Sequence, residues 1–136
     1  MRRLLLGPAV LAVLVLLGCA DAGAGPADPP GPRPAAAADL LGRWYPADGA
    51  AGGRAFAEFA DGGDWTGSDG CNGQSGTWAV AAGGEFTGSY GPSTKIACEN
   101  VPIAVWVGDA RRVEIDAGTL VLHGPDGPAR LVRELP

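Results

Sequence analysis

The stretch Arg112-Val113-Glu114-Ile115-Asp116, Ala117-Gly118, Thr119-Leu120-Val121-Leu122-His123, Asp126-Gly127, Ala129-Arg130-Leu131-Val132-Arg133 decides the fold class. The first five residues alternate apolar and polar, the period of a half-buried strand. Ala-Gly and Asp-Gly then supply residues that accept the left-handed backbone of tight hairpins. Three strands joined by two short turns make an antiparallel meander. Upstream, Leu40–Pro46 reads as a first strand entering the core. Ala55–Phe59 alternates, with either Phe56 or the set Ala55, Ala57 and Phe59 turned inward, and the register stays open. Asp61-Gly62-Gly63 is a turn, and Trp65-Thr66-Gly67 a short strand. Ser68–Gly73 is a polar, glycine-dense loop. Gly76–Val80 and Glu85–Tyr90 are two more strands separated by Gly83-Gly84, with Phe86 and Tyr90 on one side. One helix fits: Asn100 as N-cap, Pro102 in the first turn, and Ile103, Trp106, Val107 and Ala110 on one face. No internal repeat is present. The expected class is α+β, mostly antiparallel β, with one helix.

Around this core the composition divides the chain. Of 136 residues, Gly accounts for 23 and Pro for 12, about a quarter together. All nine aromatic residues lie at or after Trp44, and residues 1–38 contain none. The folded part is expected at residues 39–136, 98 residues that bury a real core of modest stability. The formal net charge is −5, which argues against a nucleic-acid binder, whose surface must neutralise phosphates.

Arg2 and Arg3 precede an apolar run from Leu4 to Leu17, interrupted by Gly7-Pro8. The run is shorter than the roughly 20 residues a bilayer core needs, so residues 1–18 read as a secretory signal peptide. Its end, Leu16-Leu17-Gly18-Cys19, resembles a bacterial lipobox, whose cysteine is acylated and becomes the new N-terminus. Residues 19–38 contain Ala, Gly, Pro, Asp, one Arg and Cys19 itself. They read as a disordered tether, with prolines favouring extended polyproline II at about 3.1 Å per residue. Cleavage leaves eight basic against fifteen acidic residues, a net charge of −7. Attachment to the outer face of the cell membrane then rests on acyl chains rather than on attraction to anionic lipid.

Lipidation of Cys19 leaves Cys71 and Cys98 as an even pair in an exported domain, where thiols are not kept reduced. A bridge between them closes a loop of about 27 residues, worth about 3–4 kcal/mol by loop entropy. A metal site is the thinner alternative, since two cysteines and His123 make a poor zinc set. A redox pair is the other, but Cys-x-x-Cys is absent.

Gly70-Cys71-Asn72-Gly73 is followed by Gly76-Thr77-Trp78, and Ser93-Thr94-Lys95-Ile96-Ala97-Cys98 follows about 22 residues on. Together with Leu41-Gly42-Arg43-Trp44 and Leu120-Val121-Leu122, these segments resemble the META domain family, which includes HslJ-like heat-shock proteins. The resemblance spans roughly residues 40–133. It implies a small, mainly antiparallel β domain with a helix packed on it, borne by an envelope lipoprotein with an accessory or stress-related role. Trp78 stands where Tyr or Phe is common. The family offers no catalytic residues to carry over.

The residues themselves offer little chemistry. No phosphate-cradling Gly-x-x-x-x-Gly-Lys-Ser/Thr and no Gly-x-Ser-x-Gly occurs. A Ser-His-Asp set would have to use His123, which sits on an expected strand and reads as a surface residue. Asp61, Asp64 and Asp69 fit turn chemistry better than a calcium loop, although Asp64 and Asp69 are a candidate weak calcium pair. The loop Ser68–Ser75 either presents polar groups to a ligand or bends the chain to seat Cys71, and the second reading uses the same residues. Trp44, Trp65, Trp78 and Trp106 either line a groove or fill the core. The expectation is a monomeric, non-enzymatic envelope protein without metal or cofactor. Its ligand-binding residues are unassigned. The alternatives are a small-ligand or peptide binder and a protein-interaction module or inhibitor.

Overall fold

A computed structural model describes residues 30–98 and 100–135. The expected signal peptide, Cys19 and the expected tether up to residue 29 lie outside the described residues. The expected class holds. The strands are β1 (Arg33–Pro34), β2 (Gly42–Pro46), β3 (Ala55–Phe59), β4 (Asp64–Asp69), β5 (Gly73–Val80), β6 (Phe86–Gly88), β7 (Arg112–Asp116), β8 (Thr119–Gly124) and β9 (Gly127–Val132). The helices are α1 (Ala37–Leu40) and α2 (Ile103–Asp109), with short 3-10 turns at Ala50–Gly53 and Ala82–Gly84.

All nine strands join in one sheet, in the order β1-β7-β8-β9-β2-β3-β4-β5-β6. Two meanders, β2–β6 and β7–β9, meet where Tyr45 pairs with Val132 and Pro46 with Leu131. Neighbouring strands are antiparallel throughout. The sheet curls until its far end returns to its beginning. Phe86 N–H donates to the Arg111 carbonyl at 2.9 Å, and Glu85 bridges Arg112. The rest of that edge of β7 is taken by β1: Arg33 pairs with Ile115, and Ala35 N–H donates to the Val113 carbonyl at 3.0 Å.

Alternation places the core inside this curl. Ala55, Ala57 and Phe59 are buried, so the open register of β3 resolves to that face, with Phe59 opposite Trp65. Phe56 turns outward and lies beneath the Arg43 guanidinium, 4.0 Å from its ring centre. Trp65, Trp78, Phe86, Val113, Leu120, Leu122 and Leu131 complete the lining, with Phe59 and Trp78 edge to face at 5.3 Å. Ile103, Ala104 and Val107 of α2 press into it, against β3–β6 and β8. At about 25 cal/mol per Å² such burial is the main stabilising term.

The boundary at residue 39 moves. Arg33–Ala38 belong to the fold rather than to a tether, and Leu40 ends α1 rather than starting a strand. Ala35 is buried. Arg33 grips Asp39 with two hydrogen bonds of 2.7 Å, and Ala36 N–H donates to the same carboxylate. The Arg33 guanidinium, followed by that N–H, holds the Asp39 carboxyl at about 2. Pairing across the sheet and this ion pair order a segment whose own composition offers only the small Ala35 side chain to the core. Arg133 secures it from the other terminus, stacking on Trp44 at 3.7 Å and donating to the Asp39 carbonyl.

Three further expectations change. Asn100 does not cap α2: Pro102 occupies the N-cap position without a side-chain bond. The strand expected over Glu85–Tyr90 is shortened to Phe86–Gly88, and Tyr90 is 50% exposed. The loop expected over Ser68–Ser75 is a turn at Gly70–Asn72, because β4 continues to Asp69 and β5 starts at Gly73.

The meander is as read, with β8 and β9 extended to a two-residue turn at Pro125-Asp126. The β7–β8 turn sets Ala117 at φ 47° and Gly118 at φ 83°. Both angles are positive, the geometry of a type I′ hairpin, and alanine pays for its Cβ there. Ala117→Asn should raise stability by about 0.5–1 kcal/mol, read as a higher urea midpoint at unchanged slope. An unchanged or lower midpoint would count against the turn.

Candidate functional site

Two places gather the residues singled out by sequence. The first is the corner at the β4–β5 turn. Asp69, at the end of β4, is 6% exposed. Its Oδ1 accepts Cys71 N–H (2.8 Å) and Asn72 N–H (2.6 Å), and its Oδ2 accepts Asn72 Nδ2–H (3.0 Å). Burial pushes the Asp69 carboxyl up. The hydrogen bonds from Asn72 and Cys71 outweigh it and hold the group below the ordinary carboxylate range. The carboxylate is thus committed to the turn. Asp64 stands exposed at the opposite end of β4, so the candidate calcium pair is not brought together. Among the described residues no group of three or more His, Cys, Asp or Glu is placed to hold a metal ion.

Asn72 is the centre of this corner and is 2% exposed. Its Oδ1 accepts Thr94 Oγ1–H (2.9 Å) and Ile96 N–H (2.7 Å), while its Nδ2 donates to Asp69 and to the Ile96 carbonyl (3.2 Å). One buried amide therefore spends its whole hydrogen-bonding capacity on two chain segments. Cys71 and Cys98 are disulfide-bonded with Cα atoms 6.5 Å apart, and Val101 N–H donates to the Asp69 carbonyl at 2.8 Å. Between the alternatives posed for Ser68–Ser75, this geometry is that of a bent, pinned corner. Its partner segment, Gly91–Cys98, is exposed along its length. Sequence reasoning placed Asn72 in a turn but missed its hold on Thr94 and Ile96, which lie 22 and 24 residues away.

The base of that segment depends on a close approach. The Ser89 carbonyl accepts Trp65 Nε1–H at 2.7 Å, and Ser89 N–H and Oγ bond to Thr77. A Cβ on Gly76 would clash with the Ser89 carbonyl oxygen, so this position admits only glycine.

The second place is a groove of about 290 Å³ between α2 and the β8–β9 turn. Trp106, Pro102 and Val105 line it from the α2 side and Pro125 and Pro128 from the turn, with Asp109 and Asp126 also in the lining. The four tryptophans divide accordingly. Trp44, Trp65 and Trp78 are buried, and their indole N–H groups donate to the carbonyls of Leu40, Ser89 and Asp64. Trp106 is half-buried and faces the groove.

His123 lies on β8, on the face turned away from the paired core residues Val113 and Leu122. Its Nε2 is 2.8 Å from Glu114 Oε2, and the same carboxylate meets Arg112. This is a cross-strand polar cluster rather than a nucleophile–base pair. Among the described residues no helix is long and apolar enough to cross a membrane. Comparison with protein-family models, with curated proteins and with solved structures returns no match to this chain.

Proposed function

We propose that the chain is an exported lipoprotein, cleaved after Gly18 and acylated on Cys19. Its folded part is held at the outer face of the cell membrane as a monomeric META-type domain. That domain acts by binding or support rather than by catalysis, in an accessory envelope role. One observation carries the reading: the Cys71–Cys98 bridge takes up both cysteines of the folded part. A bonded pair suits an oxidising compartment and leaves Cys19, directly behind the apolar leader, for acylation. The non-catalytic reading draws on His123 being engaged with Glu114, whose carboxylate also meets Arg112, and on Asp69 being consumed by its own turn.

Mass spectrometry of the membrane-extracted protein tests the proposal. The expected species begins at Cys19, carries the added mass of two or three acyl chains and shows the deficit of one disulfide. A two-chain anchor holds firmly, whereas a single chain binds marginally. Recovery of a chain that retains Met1, with a free thiol at Cys19, would overturn it.

A further inference from the structure

Gly91–Cys98 belongs to no helix or strand, and every residue in it is exposed. An exposed, irregular segment ordinarily moves and is readily cut. This one is fixed at three levels. At its start Gly91 N–H donates to the Ser75 carbonyl at 2.9 Å. At its middle the buried Asn72 amide holds the Thr94 hydroxyl and both backbone groups of Ile96 from beneath. At its end Cys98 is bonded to Cys71. Lys95, the only lysine in the chain, lies between the two residues that Asn72 grips. It is exposed, and its ammonium has no hydrogen bond or ion pair among the described residues. Ile96 beside it is 60% exposed. The Lys95–Ile96 peptide bond is thus offered outward on a loop already ordered before any encounter, so little conformational entropy remains to be lost on binding.

We propose that this loop is the reactive segment of a substrate-like, reversible inhibitor of serine proteases that cleave after lysine. Lys95 fills the acidic specificity pocket of such a protease. The inference deepens the reading of an exported, non-catalytic binding domain and rests on it for the compartment alone. The chemistry follows from where the ends are held. The protease serine oxygen adds to the Lys95 carbonyl carbon, and its proton passes to the protease histidine. The C–N bond to Ile96 breaks, that proton goes to the Ile96 nitrogen, and an acyl ester forms at Lys95. With an ordinary substrate the amine fragment diffuses away and water takes its place. Here the new amine stays beside the ester, bonded to Asn72 Oδ1, while the Ile96 carbonyl stays on Asn72 Nδ2 and Cys98 on Cys71. The Lys95 side is retained through Thr94 on Asn72 and Gly91 on Ser75. The amine attacks the ester carbonyl, returns its proton to the histidine and remakes the peptide bond, favoured over hydrolysis by its high effective concentration.

Full-length, detergent-extracted, oxidised protein should inhibit trypsin hydrolysis of a small chromogenic lysine substrate. Lys95→Arg should retain inhibition to within about tenfold, whereas Lys95→Ala should lose at least about 100-fold, as expected for a central anchor residue. Both variants change one exposed side chain. Long incubation should cut Lys95–Ile96 only to a plateau that is reached from the intact and from the cleaved form alike. Absence of inhibition, rapid complete cleavage at Lys95–Ile96, or equal inhibition by Lys95→Ala would each overturn the proposal. None of these results alters the lipid mass at Cys19, and a missing lipid leaves the inhibition assay intact, so the two readings fail separately.

Discussion

Opening the Cys71–Cys98 bridge is expected to lower stability by about 3–4 kcal/mol, and the thermal midpoint by about 15–25 °C. The bridge spans 27 residues that include β5 and β6. In the oxidised unfolded chain those residues remain a closed loop, and release raises the entropy of the unfolded state. The folded side loses as well, because Cys98 is what returns the Gly91–Cys98 segment to the β4–β5 turn. Calorimetry of oxidised protein beside the Cys71→Ser/Cys98→Ser double variant measures the difference. A shift of only a few degrees would show that the Asn72 contacts alone close this corner.

The other large effect is expected at Asn72. Asn72→Ala removes one donor bond to Asp69, one to the Ile96 carbonyl and two accepted bonds from Thr94 and Ile96. The loop groups regain water, so the net cost is about 2–4 kcal/mol rather than the full strength of four bonds. Asn72→Asp keeps the shape but sets a second carboxylate where Nδ2 lies 3.0 Å from Asp69 Oδ2. Two carboxylates at that separation cannot both ionise freely, so the folded pair takes up a proton with a raised pKa. A raised folded-state pKa makes the variant close to wild type below about pH 4 and progressively weaker as pH rises toward neutrality. Urea denaturation at pH 4 and pH 7 checks both variants. A pH-independent penalty in Asn72→Asp would mean that the Asp69–Asn72 contact is absent in solution.

The parts of the fold legible in the sequence are those stabilised by neighbours in the chain. Arg112–Asp116 alternates, Ala117-Gly118 turns, and Ile103, Trp106 and Val107 share one helical face, so the meander and α2 follow from local pattern. Arg33–Ala38 is not legible in the sequence because alanine and proline carry no apolar periodicity. Its order comes from Val113 and Ile115, more than seventy residues downstream, and from the Arg33–Asp39 pair. Gly73–Ser75 likewise reads as loop and becomes strand only through its pairing with Thr66–Ser68. At the site, the expected Cys71–Cys98 pair followed from setting Cys19 aside for lipidation and from the lack of a Cys-x-x-Cys or a fuller metal-ligand set. The Asn72–Thr94–Ile96 clamp required the third dimension, since an asparagine beside a glycine already has a sufficient local explanation in the turn.

The way β7 is shared between two short strands has a consequence for behaviour at high local concentration. The strands at either end of the sheet, of two and three residues, share one edge of β7 and its preceding loop. No long ribbon of unpaired amides is left there for a neighbouring molecule to extend. Copies of this domain crowded side by side should collide without polymerising, even though their strands are rich in the valine, leucine and aromatic residues from which fibrils are built.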